Sequence, residues 1–213
     1  MKRYTIATLV LVLLTSGVWL IGRTKPSNTK TPPNKIVLVE GDILFQSSEG
    51  GQGKAIQLAT GSKYNHCGVL YIKGTDLYVL EANGPVGLTP YADFINRTGG
   101  EYRVKRLKNR NSYFNDSTLK LFKAEGNKYK TTPYDPYFGW NDSLIYCSEL
   151  VWKIYNRALG LEVGKLQKLK EFNLTHPIVK AKLEERFGKN IPYDEKVISP
   201  AAIFESELLE TVR

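Results

Sequence analysis

Residues 146–160 carry apolar positions at helical spacing. Leu150, Val151, Ile154 and Ala158 share one face, Asn141-Asp142-Ser143 form a polar turn ahead of them, and Gly160 stands where a helix commonly stops. Upstream the period changes. Residues 65–72 (NHCGVLYI) and 77–82 (LYVLEA) read as strands, with Lys73-Gly74-Thr75-Asp76 as the hairpin turn between them. Ile43-Leu44-Phe45 reads as a core strand, and residues 102–107 (YRVKRL) alternate like a half-buried one. Helices are expected over 54–60, closed by Gly61, over 117–129 with Asp116 or Ser117 as cap, over 178–187, and from Pro200 through Glu205, with a helical turn at 91–96. The Lys-rich stretch 162–190 is less regular and directly follows the 146–160 helix, so it is expected to overhang whatever cleft that helix borders. A small antiparallel sheet packed on helices makes this an α+β domain.

The N-terminus follows neither period. Lys2 and Arg3 precede an almost unbroken apolar run over residues 6–14, and Thr15-Ser16-Gly17 offers small residues for cleavage, as in a secretory signal peptide. Val18-Trp19-Leu20-Ile21 extends the run towards the length of a short membrane span. Residues 1–25 therefore read as a signal peptide or as an N-terminal membrane anchor, in which residues 4–21 would meet the membrane. No cysteine ends the run, which argues against a lipoprotein. Either reading exports the remainder to a periplasmic or other extracytoplasmic location. Residues 26–35 form a Pro- and Lys-rich linker, and the folded domain is expected at 36–213.

Composition adds exclusions. With 42% hydrophobic and 24% charged residues in 213, the chain is an ordinary globular one, long enough for a core without disulfide staples. Of its net charge of +9, four units fall in residues 1–25; the remaining five are interspersed with acids, as in KAKLEERFGK. That is a solvated surface rather than a nucleic-acid footprint. The glycine-rich loop at 47–53 lacks the lysine-serine ending of a phosphate-binding loop. Two cysteines have no zinc spacing and are too few for a disulfide framework, although one Cys67–Cys147 bridge fits the count.

Two histidines leave few candidates for a base at neutral pH. His176 precedes Pro177 in an irregular surface segment and reads as bland. His66 opens a strand. Pairing residue 66 with 81 centres the turn between Lys73 and Gly74, so Glu81 is expected to face His66. Such a pair is either a structural cross-strand contact or an orienter that fixes an imidazole tautomer. Cys147 lies one turn before Leu150 and Val151, near the positive end of its helix, which favours thiolate. Free cysteines are more often small buried hydrophobes. Strand residues alternate in direction, so if His66 faces the cysteine helix, Cys67 should face away from it. That argues against both the bridge and chemistry at Cys67.

Several segments occur together in order: Gly41-Asp42-Ile43-Leu44-Phe45-Gln46, Lys54 to Thr60 (KAIQLAT), Tyr64-Asn65-His66, Glu81 to Val86 (EANGPV), and Tyr146 to Trp152 (YCSELVW). With the tail segments GKLQKLKEF and VISPAAIF, they resemble the YiiX-type proteins, a permuted branch of the NlpC-type papain-fold cysteine amidohydrolases. The resemblance runs from Gly41 to the C-terminus. It implies a circularly permuted papain-like core in which His66 and Glu81 precede the cysteine helix. It also implies Cys147 as nucleophile, His66 as base and acid, and Glu81 as orienting residue, with no metal or organic cofactor. A peptide, acyl-amide or other small-molecule substrate of the cell envelope is then expected, cleaved through an acyl-enzyme. The Cys147 backbone N–H would serve the oxyanion, with Tyr64 and Tyr146 as candidate side-chain donors. Two alternatives stand beside amide hydrolysis. One is a lipid acyl hydrolase, thioesterase or acyltransferase on the same triad; the other is a non-catalytic envelope binding module.

Overall fold

The computed structural model describes residues 36–213; residues 1–35, which hold the expected signal peptide or anchor and the linker, lie outside the described residues. The elements run β1 (Ile43–Gln46), α1 (Gly51–Thr60), β2 (His66–Lys73), β3 (Asp76–Ala82), β4 (Val86–Pro90), α2 (Tyr91–Asn96), β5 (Arg103–Leu107), α3 (Arg110–Tyr113), α4 (Asp116–Lys128) and α5 (Cys147–Leu159). The chain finishes with β6 (Gln167–Lys168), a 3-10 turn at Leu169–Glu171, α6 (Pro177–Phe187), β7 (Lys196–Val197), α7 (Pro200–Phe204) and β8 (Leu209–Thr211). Among the described residues no helix is long and apolar enough to cross a membrane.

Six strands form one antiparallel sheet in the order β4-β3-β2-β1-β5-β8. Strand alternation divides its side chains between two cores. Cys67, Val69 and Tyr71 of β2 join Phe122 of α4 and Leu150, Val151, Ile154 and Tyr155 of α5 on one face. Leu44, Leu70, Val79 and Val104 pack against Phe94 of α2 on the other.

The cysteine helix starts and stops where its sequence implies. Tyr146 is the extended N-cap, and Gly160 takes φ 69° in the left-handed region that ends the helix. It is more deeply embedded than one apolar stripe requires, since Ser148, Glu149 and Lys153 are buried with the apolar face. Burying Leu150, Val151 and Ile154 alone contributes about 1.5–3 kcal/mol each. Ser148 Oγ donates to Ile198 O (2.9 Å), and the Ile198 N–H donates to Tyr146 Oη (3.0 Å), so the segment after β7 clamps the helix start.

Four details differ from expectation. The β2–β3 register pairs Lys73 with Asp76 and Val69 with Leu80, making Gly74-Thr75 the two-residue turn. Continued along the strands, that register sets Gly68, not His66, across from Glu81. The N-cap of α4 is Asn115, which accepts from the Ser117 and Thr118 amides and forms a capping box with Thr118, not Asp116 or Ser117. Helix α1 begins three residues early, at Gly51. Strands β4, β6, β7 and β8 and the short helix α3 were not foreseen: Gly87, Pro90 and the two- and three-residue runs carry no strand signal. His176 is bland as expected: its Nδ1 caps α6 by accepting from the Ile178 N–H (3.2 Å).

Candidate active site

The start of β2 and the start of α5 meet at one end of the sheet, and Cys147, His66 and Glu81 come together there. His66 Nε2 lies 2.6 Å from Glu81 Oε2, which leaves Nδ1 for the Cys147 thiol, whose charge acts on the ring. His66 and Glu81 are diagonal neighbours on one sheet face, two residues out of direct opposition. Gly68 makes the diagonal possible: a Cβ there would stand 2.5 Å from Val79 Cγ1 and 3.1 Å from Glu81 Cβ. The imidazole also lies against the Phe94 ring, with centroids 6.0 Å apart.

Glu81 is saturated with donors. Thr89 Oγ1 donates to Oε1 (2.5 Å), and the Arg97 guanidinium grips both oxygens, with Nη1 at 3.0 Å from Oε2 and Nη2 bonded to Oε1. Arg97 rests over the Phe94 ring at 5.2 Å. Burial alone would raise the carboxyl's pKa, but the hydrogen bonds from His66 and Arg97 hold it down at about 2. Burial likewise opposes a charged His66. The negative charge and hydrogen bond of Cys147, aided by Glu81, outweigh it and bring the imidazole to about 9. The Cys147 thiol is held well below its ordinary range, first by a hydrogen bond from the Cys67 thiol and then, against its own burial, by His66 and the Cys67 backbone N–H. This is a thiolate–imidazolium pair, and its protons titrate as a pair.

Cys67 therefore does not turn away from the helix. Cys67, Val69 and Tyr71 are the β2 residues on the α5 side, while His66 lies on the Phe94 side. Because His66 is the first residue of its strand and Cys147 the first of its helix, the ring meets the thiol past the end of the sheet. Both cysteines are free and buried.

Of the two candidate donors, Tyr146 directly precedes Cys147 and feels its charge. Tyr64 packs on Phe45 and Phe204, and Tyr146 is engaged by the Ile198 amide and edge-on to Phe138. Tyr134 is a further candidate. It feels the Cys147 charge, and its hydroxyl accepts from Gln52 Nε2 (2.6 Å), whose Oε1 accepts from Arg186 Nη2 (2.7 Å). With a lone pair so used, the hydroxyls of Tyr134 and Tyr146 each keep a proton to donate.

From Cys147 a groove of about 880 Å³, open solvent included, runs between α1 and α6. Its walls are Ala55, Ile56 and Ala59 on one side and Val179, Leu183 and Phe187 on the other. Leu169, Phe172 and Leu174 complete it, so the Lys-rich segment 162–190 turns apolar side chains into the groove together with Lys182 and Arg186, and its other lysines outward.

A model of the family described as "Permuted papain-like amidase enzyme, YaeF/YiiX, C92 family" matches residues 37–213. The chain belongs to this family. Within the permuted papain-like amidases it is 49% identical over 173 residues to the uncharacterized protein YiiX of Escherichia coli (strain K12), covering 81% of this chain and 84% of that one. The crystal structure of the metalloprotein YiiX from Escherichia coli O157:H7 superposes with a TM-score of 0.77 at 46% identity, over 82% of this chain and 96% of the other. The fold is thus the permuted papain-like one, with the cysteine helix after the histidine strand.

Arg97, Thr89, Tyr134, Gln52 and Arg186 escaped the sequence reading. Thr89 lies in a strand without a strand-like pattern, and the others reach the site from separate loops and helices. Only Arg97 left a trace, as the first residue after the foreseen turn at 91–96.

Proposed function

We propose that the protein hydrolyses an amide bond carrying an apolar acyl group, through an acyl-enzyme on Cys147. The juxtaposition of Cys147, His66 and Glu81 at the head of an apolar groove carries this reading. The Cys147 thiolate attacks the carbonyl carbon, and charge moves onto the carbonyl oxygen. As the first residue of α5, Cys147 offers a backbone N–H without an intrahelical partner, and the Tyr134 hydroxyl is a second donor to that oxyanion. His66, protonated, gives its proton to the departing amine as the C–N bond breaks. The neutral imidazole then takes a proton from water, whose oxygen attacks the thioester, and the carboxylic acid leaves as Cys147 regains its pairing with His66. Glu81 holds the ring in one tautomer and stabilises it when charged; Arg97 and Thr89 hold Glu81.

A second reading, cleavage or transfer of a fatty acyl group from an ester or thioester, draws support from the groove, which is apolar along both helices. A series of N-acyl amino acids and matching acyl thioesters of increasing chain length separates the two. Amide turnover that rises with chain length and vanishes in Cys147→Ala supports the proposal; thioester turnover alone supports the second reading. A thiol that reacts with iodoacetamide at mildly acidic pH no faster than a model thiol would leave only a binding module.

The Escherichia coli O157:H7 relative is called a metalloprotein. Cys147, His66 and Glu81 meet, but among the described residues no three His, Cys, Asp or Glu side chains are arranged to hold an ion, and His66 is committed to Glu81 through one ring nitrogen. These residues do not fit a resident metal. An envelope location rests on residues 1–25. Fractionation of the full chain, with N-terminal sequencing of the mature product, distinguishes a cleaved exported protein from one anchored through residues 4–21.

A further inference from the structure

The two cysteines of the chain meet at the site, one of them without a part in the reaction above. Cys67 is fully buried on β2 and faces α5, in one cluster with Tyr146, Leu150 and Val151 on either side of Cys147, whose charge acts on it. Strand and helix start therefore approach closely there. A disulfide demands such an approach, with Cα atoms roughly 4.4–6.8 Å apart. Cys147 opens on the groove, through which a small oxidant can reach it. The surroundings keep Cys67 protonated, since burial and the neighbouring Cys147 charge push its thiol well above the ordinary range.

We propose that Cys67 is a resolving thiol: a hydroperoxide oxidises Cys147, and Cys67 captures the product as a reversible Cys67–Cys147 disulfide. This rests on Cys147 being the reactive thiolate of the proposed reaction. In the first step the thiolate attacks the peroxide oxygen; the O–O bond breaks, Cys147 becomes a sulfenic acid, and hydroxide or alkoxide departs. In the second, the Cys67 sulfur attacks the Cys147 sulfur, the S–O bond breaks, and the hydroxyl leaves with the Cys67 proton as water. Sulfur loses two electrons overall and the peroxide gains them. Without a resolving thiol the sulfenic acid would continue to sulfinic and sulfonic acids, which thiol reductants do not reverse. The disulfide occupies the nucleophile, so the oxidised enzyme is inactive but protected. In an oxidising compartment that makes it a reductant-dependent enzyme.

The test treats the protein and its Cys67→Ala and Cys67→Ser variants with hydrogen peroxide, and measures intact mass and iodoacetamide labelling of Cys147 before and after dithiothreitol. Each variant is compared with its own untreated sample, after near-UV circular dichroism has established native packing. The expected result in the wild type is a loss of two hydrogens, a Cys67–Cys147 cross-linked peptide, and near-complete return of labelling on reduction. Both variants should instead gain two or three oxygens at Cys147 and recover less than a tenth of their labelling. Wild type that gains oxygens as the variants do, or variants that recover as the wild type does, overturns the proposal while leaving Cys147 reactive. If untreated Cys147 labels no faster than a model thiol, the reading of the active site fails first.

Discussion

Replacing Glu81 with Gln isolates the carboxylate's charge from its geometry. The amide is of nearly the same size and its oxygen can still accept from His66 Nε2, so the ring stays in place while the negative charge 2.6 Å away is removed. A buried hydrogen bond to a charged group contributes about 1.5–3 kcal/mol, and each pKa unit corresponds to about 1.4 kcal/mol. The imidazolium should therefore lose roughly 1–2 units from its value of about 9, and the Cys147 thiol should rise by a similar amount because the two titrate as a pair. The rate of iodoacetamide alkylation against pH reads both limbs. In the wild type the lower limb lies well to the acid side of a model thiol. In Glu81→Gln it should move up by about one unit or more, equivalent to roughly a tenfold slower reaction at the acidic end. The upper limb should descend from about 9. Superimposable profiles, with native circular dichroism in both proteins, would mean that Glu81 does not stabilise the pair electrostatically and that the assignment of its role is wrong.

Three further outcomes follow from the same geometry. Gly68→Ala puts a Cβ 2.5 Å from Val79 Cγ1 and 2.9 Å from Leu80 O; it should cost about 1–3 kcal/mol in urea unfolding and lower kcat by displacing Glu81 from His66. Tyr134→Phe removes the proposed oxyanion hydroxyl and should lower kcat by roughly a hundredfold with little change in KM; equal activity would return the role to the backbone N–H alone. Glu149, fully buried in the first turn of α5, has its carboxyl pushed up to about 7 by burial, against the pull of Lys153. The folded protein thus holds this proton more tightly than the unfolded chain, so stability falls as pH rises from about 4.5 to about 7, by at most about 3 kcal/mol. Glu149→Gln should flatten the dependence of Tm on pH across that window while Lys153 keeps Asp142; an unchanged slope would locate the titration elsewhere.

The site was legible where a periodic pattern encoded it. The helix over residues 147–159 and the Gly160 stop were readable because deep burial demanded apolar residues at regular intervals, and the two strands of the hairpin because β-rich runs flanked a glycine turn. The expected register was wrong by two residues, since turn composition alone does not distinguish a turn centred on Lys73-Gly74 from one on Gly74-Thr75. The face survived that error because side chains repeat every two residues along a strand, so Glu81 still met His66, diagonally, across the space left by Gly68. The inference about Cys67 failed for a related reason. Alternation correctly sends neighbouring residues to opposite faces, but the inference also requires that a histidine serving the helix point at it. At the first residue of a strand that assumption does not hold, because there is no further sheet to separate the two faces. His66 reaches Cys147 from one side and Cys67 from the other, and the thiol's low pKa draws on both. The remaining partners, Arg97, Tyr134, Gln52 and Arg186, converge from separate parts of the chain, and their placement follows from the packing of α1, α2 and α6 around the sheet end. Local periodicity holds the scaffold that carries the nucleophile; the groups that tune it are set by tertiary contact, which no single stretch of the sequence records.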